Sequence, residues 1–219
     1  MATYIIVAIL AYAIGSVNFS VLISRKMSVF DVREKGSGNA GTTNVLRAVG
    51  IKAAIITLIC DILKGIVAVL IAFLIGNMSQ TADRALLIQI AGILVIVGHT
   101  FPIFFEFRGG KGIATALGVL LITNWKIGLI CLVFAVVLII ITRMVSVGSM
   151  SAAILFPVLT LFIGDNFIVA QGAFKYFIYS IILAAFVIFN HRENIKRIMN
   201  GTENKISFIT FIAALVLFA

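Results

Sequence analysis

Charge is what this chain is short of. Of its 219 residues, 11% are charged and 62% are hydrophobic, whereas a soluble domain carries about a quarter charged residues. Together with long apolar runs between the charges, that deficit excludes a water-soluble globular fold and places the chain in the membrane class. Acidic residues are scarcer still, 8 against 17 Lys and Arg. The resulting charge of +9 would suit a nucleic-acid binder if it lay on one soluble face. Here it is spread over short loops, where topology and anionic lipid headgroups account for it, so no nucleic-acid partner is expected. Cys60 and Cys131, the two cysteines, lie deep in different apolar runs. They read as packing residues and not as a disulfide or a metal pair, and neither metal nor cofactor is expected. No Pro/Gly/Ser-rich linker divides the chain, so one membrane-embedded domain over 1–205 is expected. An apolar tail over 206–219, too short to span, follows it. The first apolar run lacks a charged leader and a small-residue cleavage site, and is read as a retained helix.

What is present is a series of apolar runs of membrane length. Crossing about 30 Å of hydrocarbon takes about 20 helical residues. Thr3–Ser24, Ala53–Gly76, Ala85–Phe105, Ile127–Thr142, Val145–Gly164 and Phe174–Asn190 approach or meet that length. Ile113–Thr123 is shorter, follows a glycine cluster, and fits a half-helix or re-entrant piece. Counting it as a crossing sets nearly all loop Lys and Arg on one side, leaving Arg84, Lys126 and Lys175 on the other. The positive-inside rule then puts the N-terminus outside. The expected fold is all-α: a polytopic membrane helix bundle of about seven transmembrane helices, with short or broken helices near the inner face.

The loops on the inner side are not bland. Between Asp31 and Lys52, Gly36, Gly38 and Gly41 match G-x-G-x-x-G by spacing, but no βαβ unit can form between two membrane helices, so a dinucleotide site is excluded. Glycine-rich backbone still lets N–H groups approach an anion. Ser37, Asn39, Thr42, Thr43 and Asn44 add neutral donors, and Arg47 adds a planar fork suited to phosphate. The competing interpretation is a polar turn capping a helix that starts near Thr42. In the second loop, Arg108-Gly-Gly-Lys-Gly112 is not a Walker A motif. Phe105 and Gly112 stand where that motif needs Gly and Ser or Thr. A glycine-rich turn opening onto a helix N-terminus, with Lys111 for charge, suits an anion nevertheless. The alternative is a turn with anchoring cations.

Asp61 and Lys64 lie inside the second apolar run, spaced to share one helix face and pair. Ionisable residues at membrane depth are usually functional; a structural ion pair is the alternative. Ser146 begins the sixth run, and His191–Arg197 closes the last one as a basic juxtamembrane tail.

These segments resemble the bacterial acyl-phosphate:glycerol-3-phosphate acyltransferases. The resemblance is carried by Gly15-Ser16, Asp31-Val-Arg33, Gly36-Ser-Gly-Asn39, Gly41-Thr-Thr-Asn44, Arg47 and Asp61-Ile-Leu-Lys64-Gly65. It continues through Gly98-His99-Thr-Phe-Pro102, Gly109-Gly-Lys-Gly-Ile-Ala-Thr115 and His191-Arg-Glu-Asn-Ile-Lys-Arg197. It implies a seven-helix bundle in the bacterial cytoplasmic membrane, an active site facing the cytoplasm, and acyl phosphate in place of acyl-CoA. Lysophosphatidic acid would be the product. The expected partners are acyl phosphate, glycerol 3-phosphate and membrane lipid, with a monomer as the expected state. Ser37, Asn39, Arg47, His99, Lys111 and Asn194 are the implied catalytic set. Gly109, Gly110, Lys111, Gly112 and Thr115 would hold acyl phosphate. Ser37, Asn39, Thr43, Arg47, Ser146, His191 and Asn194 would hold glycerol 3-phosphate, and Asp61 and Lys64 would support them from behind. The chain departs from the family at Asn18, Ser20, Thr42 and Asn190, where Pro, Gly, Ala and Arg are usual.

The His-x4-Asp dyad of another acyltransferase class is missing: Phe104 and Lys196 stand five residues after His99 and His191. No Gly-x-Ser-x-Gly elbow occurs, so a covalent acyl-enzyme is not expected. A transporter of a small anionic or phosphorylated solute is the alternative function. Broken helices and buried charge suit it, but the polar motifs cluster in loops and not at mid-membrane.

Overall fold

The computed structural model describes residues 1–163 and 172–206. Among them, ten α-helices and two short 3-10 turns make up all the regular structure. They fall into two compact units that divide after Trp125. The first holds α1 (Ala2–Gly15), α2 (Phe19–Ser28), α3 (Thr42–Ala48), α4 (Ile51–Met78), α5 (Arg84–Thr100) and α6 (Ile113–Thr123). The second holds α7 (Trp125–Thr142), α8 (Val145–Thr160), α9 (Ala173–Asn190) and α10 (Arg192–Met199). Five stretches are long and apolar enough to cross a membrane: Ala2–Ser28, Ile51–Met78, Arg84–Phe105, Trp125–Thr142 and Ala173–Asn190. The helices Ile113–Thr123 and Val145–Thr160 are apolar but shorter. Gly164, the expected end of one run, and the apolar tail beyond Ile206 lie outside the described residues.

Lipid tails give helices no hydrophobic reason to associate, so small residues that let backbones approach drive the packing. In the first unit α1 meets α5, and α4 meets α6. A Cβ on Gly15 would strike the Val95 carbonyl, and one on Gly98 the Tyr12 carbonyl. The same reciprocity joins Gly65 to the Thr115 carbonyl and Gly118 to that of Ile62. The short α6 is therefore fixed along one face by backbone-to-backbone contact with α4. Larger side chains such as Ile5, Ile9, Leu74, Val133 and Ile141 stay exposed, as lipid-facing positions should.

The first apolar run is broken where a single helix was expected. It reads as one stretch because apolar residues flank Gly15-Ser-Val-Asn18 on both sides. Asn18 accepts a hydrogen bond from the Val21 N–H at 3.2 Å and so caps α2. Breaking a helix inside a bundle exposes carbonyls that need donors. Lys64 supplies them, donating to the Gly15 and Val17 carbonyls at 3.2 and 2.9 Å. Its ammonium pairs with Asp61 at 2.9 Å, both side chains almost wholly buried.

In the second unit, Gly148 on α8 fits against the Ala135 carbonyl of α7. Phe156 on α8 packs edge-on against Tyr176 of α9, with ring centroids 5.8 Å apart.

Candidate active site

In the first polar loop, Asp31 accepts hydrogen bonds from Arg25 and Arg33, each at 2.9 Å. Burial alone would raise the Asp31 carboxyl, but hydrogen bonds from Arg33, and a further one from Arg25, bring it down to about 2. Arg33 in turn donates to the Phe105 carbonyl at 2.8 Å, tying this loop to the second one. Gly36 and Gly38 have φ of +59° and +69°, a left-handed backbone that explains why glycine stands there. Asn44 is buried and holds the turn from inside. Its Oδ1 accepts the Ser37 N–H, and its Nδ2 donates to the Val32 and Lys35 carbonyls, all at 2.9 Å. Asn44 therefore differs from the sequence expectation: both its amide hydrogens are committed to loop carbonyls, which removes it from the anion donors. A helix does begin at Thr42, but its cap is Gly41, with no side-chain hydrogen bond. Thr43 and Arg47 stand one turn apart on α3 and so share a face. Arg47 is exposed, Ser37 is exposed and Asn39 is half-buried.

The glycine turn of the second loop folds back on the end of α5. The Gly109 N–H donates to the Thr100 carbonyl and the Gly110 N–H to that of His99, both at 3.1 Å. The Ala40 N–H donates to the Gly109 carbonyl at 3.4 Å, joining the two loops a second time. His99 lies buried beneath, its Nε2 so close to Gly110 that a Cβ there would collide with it. Its other nitrogen, Nδ1, is 3.5 Å from Asp61 Oδ1, an ion-pair distance at which no hydrogen bond is made. Gly110 is thus required for space. Gly112, at φ +81°, is the turn's left-handed residue and the N-cap of α6. Lys111 is half-buried beside them. Thr115 is fully buried, and its carbonyl is the atom that meets Gly65.

Three further candidates belong to the second unit. Ser146 begins α8, and Asn194 lies on α10. His191 is buried at the α9–α10 junction. Its Nδ1 is 2.8 Å from the Val187 carbonyl; a carbonyl only accepts, so the hydrogen sits on Nδ1 and the ring is held in one orientation. Ser146 and Asn194 both donate to one carboxylate oxygen, Glu203 Oε1, each at 2.7 Å. Arg197 Nε donates to Oε2 at 2.9 Å. Burial would raise the Glu203 carboxyl, but these three donors hold it below the ordinary range. Sequence reasoning missed Glu203. An acidic residue two positions past Gly201, after a basic segment, was the available signal.

Helices that approach through glycine, a buried ion pair at a helix break, and polar loops gathered around glycine turns define a polytopic helical membrane protein. The profile of a glycerol-3-phosphate acyltransferase family matches residues 5–201. A glycerol-3-phosphate acyltransferase of Thermoanaerobacter pseudethanolicus is 42% identical over 203 residues, covering 92% of this chain and 95% of its own. That of Clostridioides difficile is 40% identical over 204 residues, covering 93% and 96%. Among solved structures, PlsY (YgiH), an integral membrane glycerol 3-phosphate acyltransferase, superposes in its glycerol 3-phosphate form with a TM-score of 0.82 at 31% identity, over 95% of this chain and 98% of that one. Its lysophosphatidic acid form gives 0.80 at 30% identity, over 99% of each chain. The chain belongs to the glycerol-3-phosphate acyltransferase family and is an integral, multi-pass membrane protein.

Proposed function

We propose that this chain transfers a fatty acyl group from acyl phosphate to the 1-hydroxyl of glycerol 3-phosphate, giving lysophosphatidic acid and phosphate. Acylation of glycerol 3-phosphate is the family's activity; the donor and the residue roles are assigned here. The supporting observation is the joining of two glycine turns by the Arg33–Phe105 and Ala40–Gly109 hydrogen bonds, with His99 beneath. Lys111 and the Gly112 backbone bind the donor phosphate, with Thr115 behind them in the first turn of α6. Gly109 and Gly110, expected as backbone donors, shape the turn instead, because their N–H groups donate to the Thr100 and His99 carbonyls. Ser37, Asn39, Thr43 and Arg47 bind glycerol 3-phosphate. Ser146, His191 and Asn194 of the second unit are assigned to the same acceptor from the family resemblance, Ser146 as a hydrogen-bond acceptor for a glycerol hydroxyl because its own hydrogen goes to Glu203, and 1–205 is taken as one functional domain.

The donor is a mixed anhydride, so its leaving group is already activated. The acceptor hydroxyl oxygen attacks the acyl carbonyl carbon, the bond from that carbon to the phosphate oxygen breaks, and a phosphate oxygen takes the hydroxyl proton. The enzyme then has to hold two anions in line and neutralise their charge. His99, packed under Gly110, orients the glycine turn. Purified protein should acylate glycerol 3-phosphate with palmitoyl phosphate and not with palmitoyl-CoA; equal use of the thioester would refute the donor assignment.

The proposal includes about seven crossings, an outer N-terminus and a cytoplasmic site in the bacterial inner membrane, from the basic-residue bias. Val32 is fully buried and unsuited to a labelling probe, whereas Lys35 is exposed. In a variant lacking Cys60 and Cys131, Lys35→Cys should resist an impermeant thiol reagent outside intact cells. Ready labelling would reverse the orientation.

A further inference from the structure

The carboxylate of Glu203 is nearly buried, with 4% of its side chain exposed. Burying a carboxylate is unfavourable unless donors compensate it. Three do, from two separate helices: the Ser146 hydroxyl at the start of α8, and the Asn194 amide and Arg197 guanidinium on α10. The chain reaches this point by a sharp reversal. Gly201 ends α10 in the left-handed region at φ +69°. Its N–H donates to the Ile198 carbonyl, and the Thr202 N–H donates to that of Arg197. This pairing of successive amides with the last helical carbonyls turns the backbone under the helix. Farther on, the Ile206 N–H donates to the Arg143 carbonyl at 2.8 Å, just ahead of α8.

These main-chain bonds already anchor 201–206 across α10 and the start of α8. A strap needs no more than that, and an apolar side chain would fill the space at less desolvation cost. The carboxylate instead selects one rotamer of Ser146 and one face of Asn194. We propose that Glu203 is the positioning residue that sets Ser146 and Asn194 for acceptor binding. This inference rests on the assignment of those two residues to glycerol 3-phosphate.

The geometry makes the test specific. Glu203→Gln offers one carbonyl oxygen and an amide NH2, which only donates, so at least one of three converging donors would face another donor. Glu203→Asp keeps both acceptor oxygens on a shorter arm. In purified protein, Glu203→Gln should raise KM for glycerol 3-phosphate roughly ten- to hundredfold, as expected for losing hydrogen bonds to a charged group. KM for acyl phosphate should stay within about twofold, and Glu203→Asp should recover part of the acceptor affinity. Ser146→Ala and Asn194→Ala, measured alongside, should each raise the same KM. If they do while Glu203→Gln leaves it unchanged, Glu203 has no positioning role although the acceptor assignment stands. If neither raises it, both the assignment and the inference fall. A loss shared by both KM values, kcat and thermal midpoint, with no recovery in Glu203→Asp, would reduce Glu203 to a strap and overturn the inference. Should Glu203→Gln not fold, Glu203→Asp alone decides, by whether acceptor KM rises apart from donor KM.

Discussion

The imidazole Nδ1 of His99 stands 3.5 Å from Asp61 Oδ1, and that same oxygen pairs with Lys64 at 2.9 Å. One buried carboxylate thus serves a cation that closes the α1–α2 break and a histidine that lies under the glycine turn. Asp61→Asn would leave the Lys64 ammonium in the bundle without its counter-charge, held by the Gly15 and Val17 carbonyls and the face of Phe19. Removing one partner of a buried pair costs about 3–5 kcal/mol, whereas replacing both by apolar residues of similar volume is far milder. In detergent, the thermal midpoint should fall steeply for Asp61→Asn and less for Asp61→Leu/Lys64→Met. A double variant as unstable as the single one would show that the helix-break carbonyls, and not the carboxylate, are the main demand on Lys64.

Lys111→Ala removes a charge-assisted contact worth about 1.5–3 kcal/mol, so kcat/KM should fall roughly ten- to hundredfold. Gly110→Ala should also impair turnover, because its Cβ would press on His99 Nε2 and lie 2.7 Å from the Ala40 carbonyl. Near-normal kinetics in both variants would leave the loop as turn chemistry alone.

Arg47→Lys keeps the charge of α3 but loses the planar fork. KM for glycerol 3-phosphate should rise while that for acyl phosphate holds. The reverse pattern would mean that the donor and acceptor assignments are exchanged.

His99→Gln or His99→Asn should retain measurable turnover, and should lose far less than Lys111→Ala or Arg47→Ala. The pH–rate profile should keep the same limbs in the His99 variants. Abolished chemistry with both substrates still bound, together with a missing limb, would restore a histidine base, with Asp61 as its carboxylate neighbour.

Asp31 ties the first polar loop together through Arg25 and Arg33, and its carboxyl is lowered from 3.8 to about 2. A depressed folded-state pKa stabilises the fold above the unfolded value, and that contribution disappears as pH falls through the folded value. Wild type should therefore exceed Asp31→Asn in thermal midpoint by a constant margin above about pH 4. The margin should shrink toward pH 2. A margin independent of pH over that range would exclude the carboxylate as its source.

Composition and run length alone determined the membrane class, the helical fold and most helix positions, because lipid demands internally bonded backbone and long apolar stretches record that demand directly. Local chemistry also marked the glycine turns, since a left-handed backbone at Gly36, Gly38 and Gly112 restricts which residue can stand there. Other features depend on contacts between distant residues. The break after Gly15 was hidden because its carbonyls are satisfied by Lys64, a residue of another helix. His99 has no carboxylate at dyad spacing in sequence, and acquires Asp61 as a neighbour only when α4 packs against α5. Asn44, which looked like an anion donor, turned inward because the loop's own carbonyls claimed its hydrogens. Glu203 was one acid in a basic tail until the turn at Gly201 set its carboxylate against donors from α8 and α10. Residue type and spacing report what a segment can do by itself, whereas the partner of a buried polar group is chosen only when helices close around it.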